Sequence, residues 1–120
     1  MKLSNPTAIL GEDRATQYLS SKGYKILERN YSKRYGEIDI VALFKNTLVF
    51  VEVKTRSSNQ FGSPLEAITP WKIRQLIKTS EYYKLTHKNV PDLMRIDAIA
   101  VSLGSSNEVV NIEHVENITL

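Results

Sequence analysis

The chain has 120 residues, 42% of them hydrophobic and 24% charged, which suits one globular domain over residues 1–120 with a single core. With no cysteine and two separate histidines, His87 and His114, it excludes disulfides, thiolate chemistry and a cysteine zinc site and argues against a histidine-rich one, so any metal must be held by oxygen. No apolar run approaches the roughly 20 residues that span a bilayer and the start lacks a signal-peptide pattern, so a cytoplasmic protein without membrane contact is expected, and the net charge of +3 permits nucleic-acid binding without demonstrating it.

Asn5-Pro6 predicts a helix start, and Gly23 is a fitting stop for a helix from about Pro6 to Lys22. Its apolar stripe is narrow, made by Ala8, Ala15 and Leu19, and at 100° per residue Glu12 falls inside it. Either Glu12 faces the core or it snorkels out from the stripe edge. Tyr24 to Tyr31 reads as a first strand, with Tyr24, Ile26 and Glu28 on one face and Lys25, Leu27 and Arg29 on the other. Ser32 to Gly36 reads as a basic turn. Two strands follow, Glu37 to Phe44 and Thr47 to Thr55, joined across Lys45-Asn46.

Arg56 to Ser63 reads as a mobile loop, and Pro64 opens a short helical turn ending near Ile68. Thr69-Pro70 starts a second long helix to about His87, with Ile73, Leu76, Ile77, Ser80 and Tyr83 on its packed face. Trp71, Arg74, Lys78 and Tyr82 gather on the opposite side. Cations interleaved with aromatics suit phosphate contact and base stacking, and equally suit a face that buries Trp71 against a neighbour or a second subunit. Strands at Leu93 to Leu103 and Val109 to Val115 complete the order αβββαββ, an α/β fold with a mixed sheet flanked by helices. Arg95 and Asp97 on the fourth strand read as a structural salt bridge.

The charges inside the two central strands are the anomaly. Leu48 to Lys54 is composed like a buried strand yet carries Glu52 and Lys54, and burying an unpaired charge costs several kcal/mol. Alternation puts Leu48, Phe50, Glu52 and Lys54 on one face, with Glu52 and Lys54 about 7 Å apart by the strand rise, too far for a tight ion pair. On the preceding strand Ile38, Ile40 and Ala42 share one face and Glu37, Asp39, Val41 and Leu43 the other. Antiparallel pairing across the turn brings Asp39 opposite Glu52. Two carboxylates so placed repel unless one is protonated or a cation lies between them. The alternative is a solvated hairpin face, and the spacing alone leaves both readings open.

Glu12 on a first helix, Gly36-Glu37-Ile38-Asp39, and then Glu52-Val53-Lys54 resemble the PD-(D/E)xK nuclease superfamily, whose restriction-endonuclease-like core runs αβββαβ. Over nearly its whole length the chain is similar to the YraN-like family of uncharacterised bacterial proteins. That match is carried by Gly11-Glu12, Gly23, Arg29-Asn30, Gly36 to Asp39, Val51 to Arg56, Phe61-Gly62, Lys72 and Arg95 to Asp97. Ile38 stands where the superfamily's name has proline, which is not a ligand.

The resemblance implies that Asp39 and Glu52 ligate Mg²⁺ or Mn²⁺, with the Val53 carbonyl as a further ligand and Glu12 contacting the metal directly or through water. It implies that Lys54 orients the attacking water or stabilises developing charge, and makes Thr55 and Arg56 candidates for phosphate contact. It also implies kinship with archaeal Holliday-junction resolvases, hence a DNA endonuclease that is structure-selective. The competing readings are a nucleic-acid-binding module that kept the fold without catalysis, and an adaptor that docks a partner through Trp71 and Tyr82. A domain of charge +3 has modest affinity for nucleic acid, which a homodimer or a recruiting partner would supplement.

Overall fold

The structure is a computed structural model that describes residues 5–57 and 62–119. Asn5 opens α1 (Pro6–Ser21): its side-chain oxygen accepts from the amides of Thr7 and Ala8, and Pro6 sits in the first turn, where a missing N–H costs nothing. The helix stops at Gly23, whose φ of +94° lets the Tyr24 amide return to the Leu19 carbonyl and the Gly23 amide to the Ser20 carbonyl. A meander follows, β1 (Lys25–Lys33), β2 (Gly36–Phe44) and β3 (Thr47–Ser57). A 3-10 turn (Pro64–Ala67) and α2 (Pro70–Thr86) cross to β4 (Met94–Leu103), and β5 (Val109–Val115) ends the sheet. Thr69 caps α2 by accepting from the Lys72 amide at 3.1 Å.

The five strands lie side by side in chain order, antiparallel except for β3 and β4, which run parallel from Leu48–Met94 to Ser57–Leu103. A parallel pair needs a long crossover, and α2 supplies it. Val49, Val51 and Val53 pack with Ala15 and Leu19 of α1, while Leu48, Phe50 and Ile96 pack with Leu76 and Tyr83 of α2. The helices therefore cover opposite faces and β3 is buried on both, which is why it reads as a nearly continuous apolar run. This is the expected αβββαββ mixed sheet, consistent with a restriction-endonuclease-like core. No helix among the described residues is long and apolar enough to cross a membrane.

The face assignments fail in two places, for backbone reasons. A β-bulge between Ile26 and Glu28 shifts the phase of β1, so Ile26 and Arg29, expected on opposite faces, both meet the α1 side. At Asn30 the φ of +54° turns the strand again, and Tyr31 packs edge-on against Tyr83 of α2 with ring centres 5.0 Å apart. Its β2 partner Ile38 joins that α2-side layer whereas Ile40 stays on the α1 side, so Ile38 and Ile40 do not share a face. Smaller differences follow. The basic turn shrinks to Arg34-Tyr35, because Lys33 pairs with Gly36. On α2, Thr79 is buried with Leu76, Ser80 and Tyr83, and Ile73 and Ile77 are half-buried. Of the loop expected over Arg56 to Ser63, Arg56 and Ser57 belong instead to β3, whose pairing with β4 runs on to Ser57, and residues 58–61, Phe61 among them, lie outside the described residues.

Arg95 and Asp97 form the expected structural pair, with Arg95 Nε 3.0 Å from Asp97 Oδ1, but the network is wider than the sequence suggests. His114, which looks isolated in sequence, stands 2.8 Å from Asp97 Oδ2, and the Asn117 amide donates to Oδ1. Arg95 also donates to the Tyr24 hydroxyl at 2.6 Å, beneath a Tyr24–Phe44 stack with ring centres 4.2 Å apart. Burial alone would push the Asp97 carboxyl up. The hydrogen bonds from His114, Arg95 and Asn117 and the Arg95 charge outweigh it and hold the carboxyl below the usual range.

Two outcomes are expected. Gly11 lies so close to β3 that a Cβ would clash with Thr55 Oγ1 and stand 2.8 Å from Thr55 Cβ, so Gly11→Ala should lower stability by about 1–3 kcal/mol, seen as a lower urea midpoint. Asp97→Ala, which strands Arg95 and His114, should cost about 3–5 kcal/mol at neutral pH. Because the native carboxyl titrates below its usual value, that contribution is complete above the ordinary aspartate pKa and is lost as pH falls through the native one. Urea melts of parent and variant should therefore converge in acid.

Candidate functional site

Asp39 sits where the alternation of β2 breaks, and the β2–β3 ladder ends beside it. The paired residues run from Phe44–Thr47 to Ile40–Val51, and beyond them a side chain takes over: Asp39 Oδ2 accepts from the Val53 amide at 2.8 Å. The register is the one expected from the turn, so Asp39 lies across from Glu52. Both are buried, Asp39 2% and Glu52 5% exposed, which excludes the solvated hairpin face. The two carboxyl groups lie close enough for the Asp39 charge to act on Glu52.

Glu52 is held by two lysines. Lys54 Nζ stands 3.8 Å from Glu52 Oε2, so the flexible lysine stem folds back and closes the gap that the strand rise alone leaves open. Lys72 of α2 reaches the same oxygen at 3.7 Å. Both distances exceed a hydrogen bond, and the compensation is partial. Burial, and next the Asp39 carboxylate, push the Glu52 carboxyl up to about 7 against the opposing pull of Lys72 and Lys54.

Lys72 is the residue that sequence reasoning did not assign to the site. Its signal was present: Lys72 precedes Leu76, Thr79 and Tyr83 by four, seven and eleven residues, so it lies on the packed stripe of α2, as Glu12 does on α1. Glu12 is 4% exposed, which settles it as inward-facing, and it meets Arg29 Nη2 at 3.3 Å, where Asp13 also arrives at 2.8 Å. Arg29 was not legible as a partner, because the β1 bulge moves it to that face. Thr55 packs under Gly11 and, with Val53, Lys54, Asn5 and Thr7, lines a recess of about 160 Å³ at the start of α1. Arg56 donates to the Gly62 carbonyl. Arg74 and Lys78 lie on the outer side of α2, exposed, away from the carboxylate pair. Among the described residues, no group of three or more histidine, cysteine, aspartate or glutamate side chains is placed to hold a metal ion.

A five-stranded mixed sheet between two helices, with an acid pair and lysines where two strands part, defines an α/β protein with a charged site built into its core strands. The chain belongs to the uncharacterised protein family UPF0102, whose family model matches residues 11–101, a span holding every site residue named above except Asn5 and Thr7. It is 44% identical over 107 residues to a UPF0102 protein of Caldicellulosiruptor saccharolyticus, covering 89% of this chain and 91% of that one. A UPF0102 protein of Syntrophomonas wolfei is 43% identical over 116 residues, covering 96% and 98%. Another from Caldanaerobacter subterraneus is 45% identical over 109 residues, covering 91% and 88%.

The raised Glu52 carboxyl sets a pH dependence. A group that titrates near 7 in the fold but near 4.5 when unfolded favours the native state in its protonated form, so stability is full below about 4.5 and declines as pH rises to about 7. The loss amounts to about 3 kcal/mol. In chelator, the melting temperature should therefore fall between pH 5 and 8, and Glu52→Gln should flatten that fall. A parent and variant with identical profiles would contradict the buried pair.

Proposed function

We propose that this protein is a metal-dependent endonuclease that hydrolyses nucleic-acid phosphodiesters, with branched or junction DNA as its substrate class. The observation that carries the reading is the contact between Asp39 and Glu52, two buried carboxyls that a fold needing only stability would not place together. The order of Glu12, Asp39, Glu52 and Lys54 supports it as the PD-(D/E)xK pattern, and the architecture agrees with that core.

The donor set fits a hard divalent ion. Asp39, Glu52 and the Val53 carbonyl would hold Mg²⁺ or Mn²⁺ through oxygen alone, with water and a phosphate oxygen completing the shell. Such an ion, when bound, would supply an acidified water and offset charge on the phosphate under attack. Asp39 is oriented for this by the Val53 amide, and Glu52 by Lys72 from the helix above it. Lys54, one residue beyond Val53, orients the attacking water or faces the charge developing on phosphate oxygens. Glu12, whose carboxylate Arg29 holds, would contact the ion directly or through water. Thr55 and Arg56, further along β3, contact the phosphate backbone, and a second copy or a recruiting partner supplies additional basic surface.

A second reading is favoured by one observation: Lys54 and Lys72 both reach Glu52, and its raised carboxyl lessens the charge an ion would neutralise. It is a nucleic-acid-binding module that keeps the fold without catalysis. A cleavage screen over linear, flapped and four-way DNA with Mg²⁺ or Mn²⁺ separates the two. Cleavage should require the ion and fall roughly 100-fold or more in Asp39→Ala and in Lys54→Ala. Activity unchanged in those variants would mean the acids do not act. Binding that survives chelation, with no substrate cut, would favour the second reading.

A further inference from the structure

The β1–β2 turn and the outward side of α2 form a surface that neither the core nor the carboxylate pair uses. Gly36 presses this turn onto the helix: a Cβ there would meet Thr79 Oγ1 at 3.4 Å and Gln75 Cβ at 3.7 Å, at a φ of +149° that side chains rarely adopt. Beside it runs an open groove of about 460 Å³, walled by Lys33 at the end of β1, Arg34 and Tyr35 of the turn, and Trp71 of α2. Adjoining recesses of about 310 and 340 Å³ carry it over Tyr82 and Lys78. Trp71, Lys78 and Tyr82 share one stripe of the helix, since steps of seven and four residues return to the same side.

Three rings stand open along this path, Trp71 at 61% exposure, Tyr35 at 40% and Tyr82 at 38%. Three cations stand between them, and Arg34 lies over the Tyr35 ring at 5.9 Å. Two acids, Glu37 and Glu81, also line the path, which leaves a positive balance. At one end its wall residues adjoin the site along the chain. Glu37 is two residues from Asp39, and Lys72, the neighbour of Trp71, is the lysine that reaches Glu52.

We infer that this groove carries one unpaired strand of nucleic acid toward the carboxylate pair, its bases stacked on Trp71, Tyr35 and Tyr82 and its phosphates met by Lys33, Arg34 and Lys78. The rings decide that the strand is unpaired. In a duplex both faces of each base are covered by its neighbours, so an exposed ring gains a stacking partner only from a base outside the stack. Cations alone would grip a duplex and a single strand alike. The substrate class is therefore nucleic acid with a single-stranded flank, such as a flap, a splayed arm or an overhang. The inference deepens the nuclease reading and rests on it for the chemistry at the carboxylate pair, while binding in the groove is measurable without cleavage.

Trp71 is the chain's one tryptophan, so its emission reports on the groove. The protein is titrated in chelator with short oligothymidylate, oligouridylate and a duplex of equal length. Saturable quenching by the single strands is expected at concentrations where the duplex gives none. Tyr35→Ala and Tyr82→Ala should each weaken single-strand binding roughly 5- to 100-fold. Lys33→Ala and Lys78→Ala should each reduce the slope of log affinity against log salt by about 0.7. Equal affinity for duplex, or single-strand binding untouched by these substitutions, overturns the inference. Self-association abolished by Trp71→Ala, with no quenching by any oligonucleotide, overturns it too and assigns the face to a second copy. Cleavage assays keep the two readings apart. Asp39-dependent cutting with Trp71→Ala acting equally on flapped and blunt DNA removes the groove and keeps the nuclease. Binding through Trp71 with no metal-dependent cutting keeps the groove and removes the nuclease.

Discussion

Two carboxyl groups in contact inside a sheet are an electrostatic debt, and the surroundings of Asp39 and Glu52 read as responses to it. The β2–β3 ladder ends at Ile40–Val51, and the Asp39 side chain satisfies the Val53 amide beyond it. One carboxyl is driven toward protonation, and lysines from β3 and α2 reach Glu52 without making hydrogen bonds to it. Compensation at such distances is looser than in a tightly hydrogen-bonded ion pair.

The helices approach from opposite faces, and each brings a charged side chain to the sheet. α1 approaches β3 through Gly11, where no side chain intervenes, and so delivers Glu12 to the sheet next to the α1-facing Arg29. α2 delivers Lys72 from the other side. Where β3 and β4 begin, the Asp97 network has the opposite character: three groups satisfy one carboxylate, and it is held ionised below the usual range. One buried acid is over-supplied with donors and another is under-supplied. That contrast distinguishes a brace from a site more clearly than burial does, since Asp97 is the more buried of the two.

The site acids were legible because charge in an apolar strand is expensive wherever the strand ends up, so Asp39, Glu52 and Lys54 stand out before any fold is known. Glu12 was legible by the same logic on a helix. Lys72 carries an equal signal on the stripe through Leu76, Thr79 and Tyr83, which a stripe centred on Ile73 and Ile77 leaves out. Arg29 and His114 carried none. A bulge in β1 and the return of β5 beside β4 place them, and neither leaves a mark in side-chain period.

What the amino-acid sequence determines by itself here is local: the caps at Asn5 and Thr69, the stop at Gly23, the order αβββαββ, and a two-residue turn at Lys45-Asn46 that sets Asp39 against Glu52. These follow from backbone donors, φ preferences and the period of two, all of which act within a few residues. Only the tertiary structure decides that Glu52 has two lysines and not one, that Ile38 and Ile40 face different layers, and that the β1–β2 turn meets α2 to make a groove. Each of those depends on a bulge, a left-handed residue or a helix crossing. Their effect is to rotate or bring together groups far apart in the chain, and no local period records it.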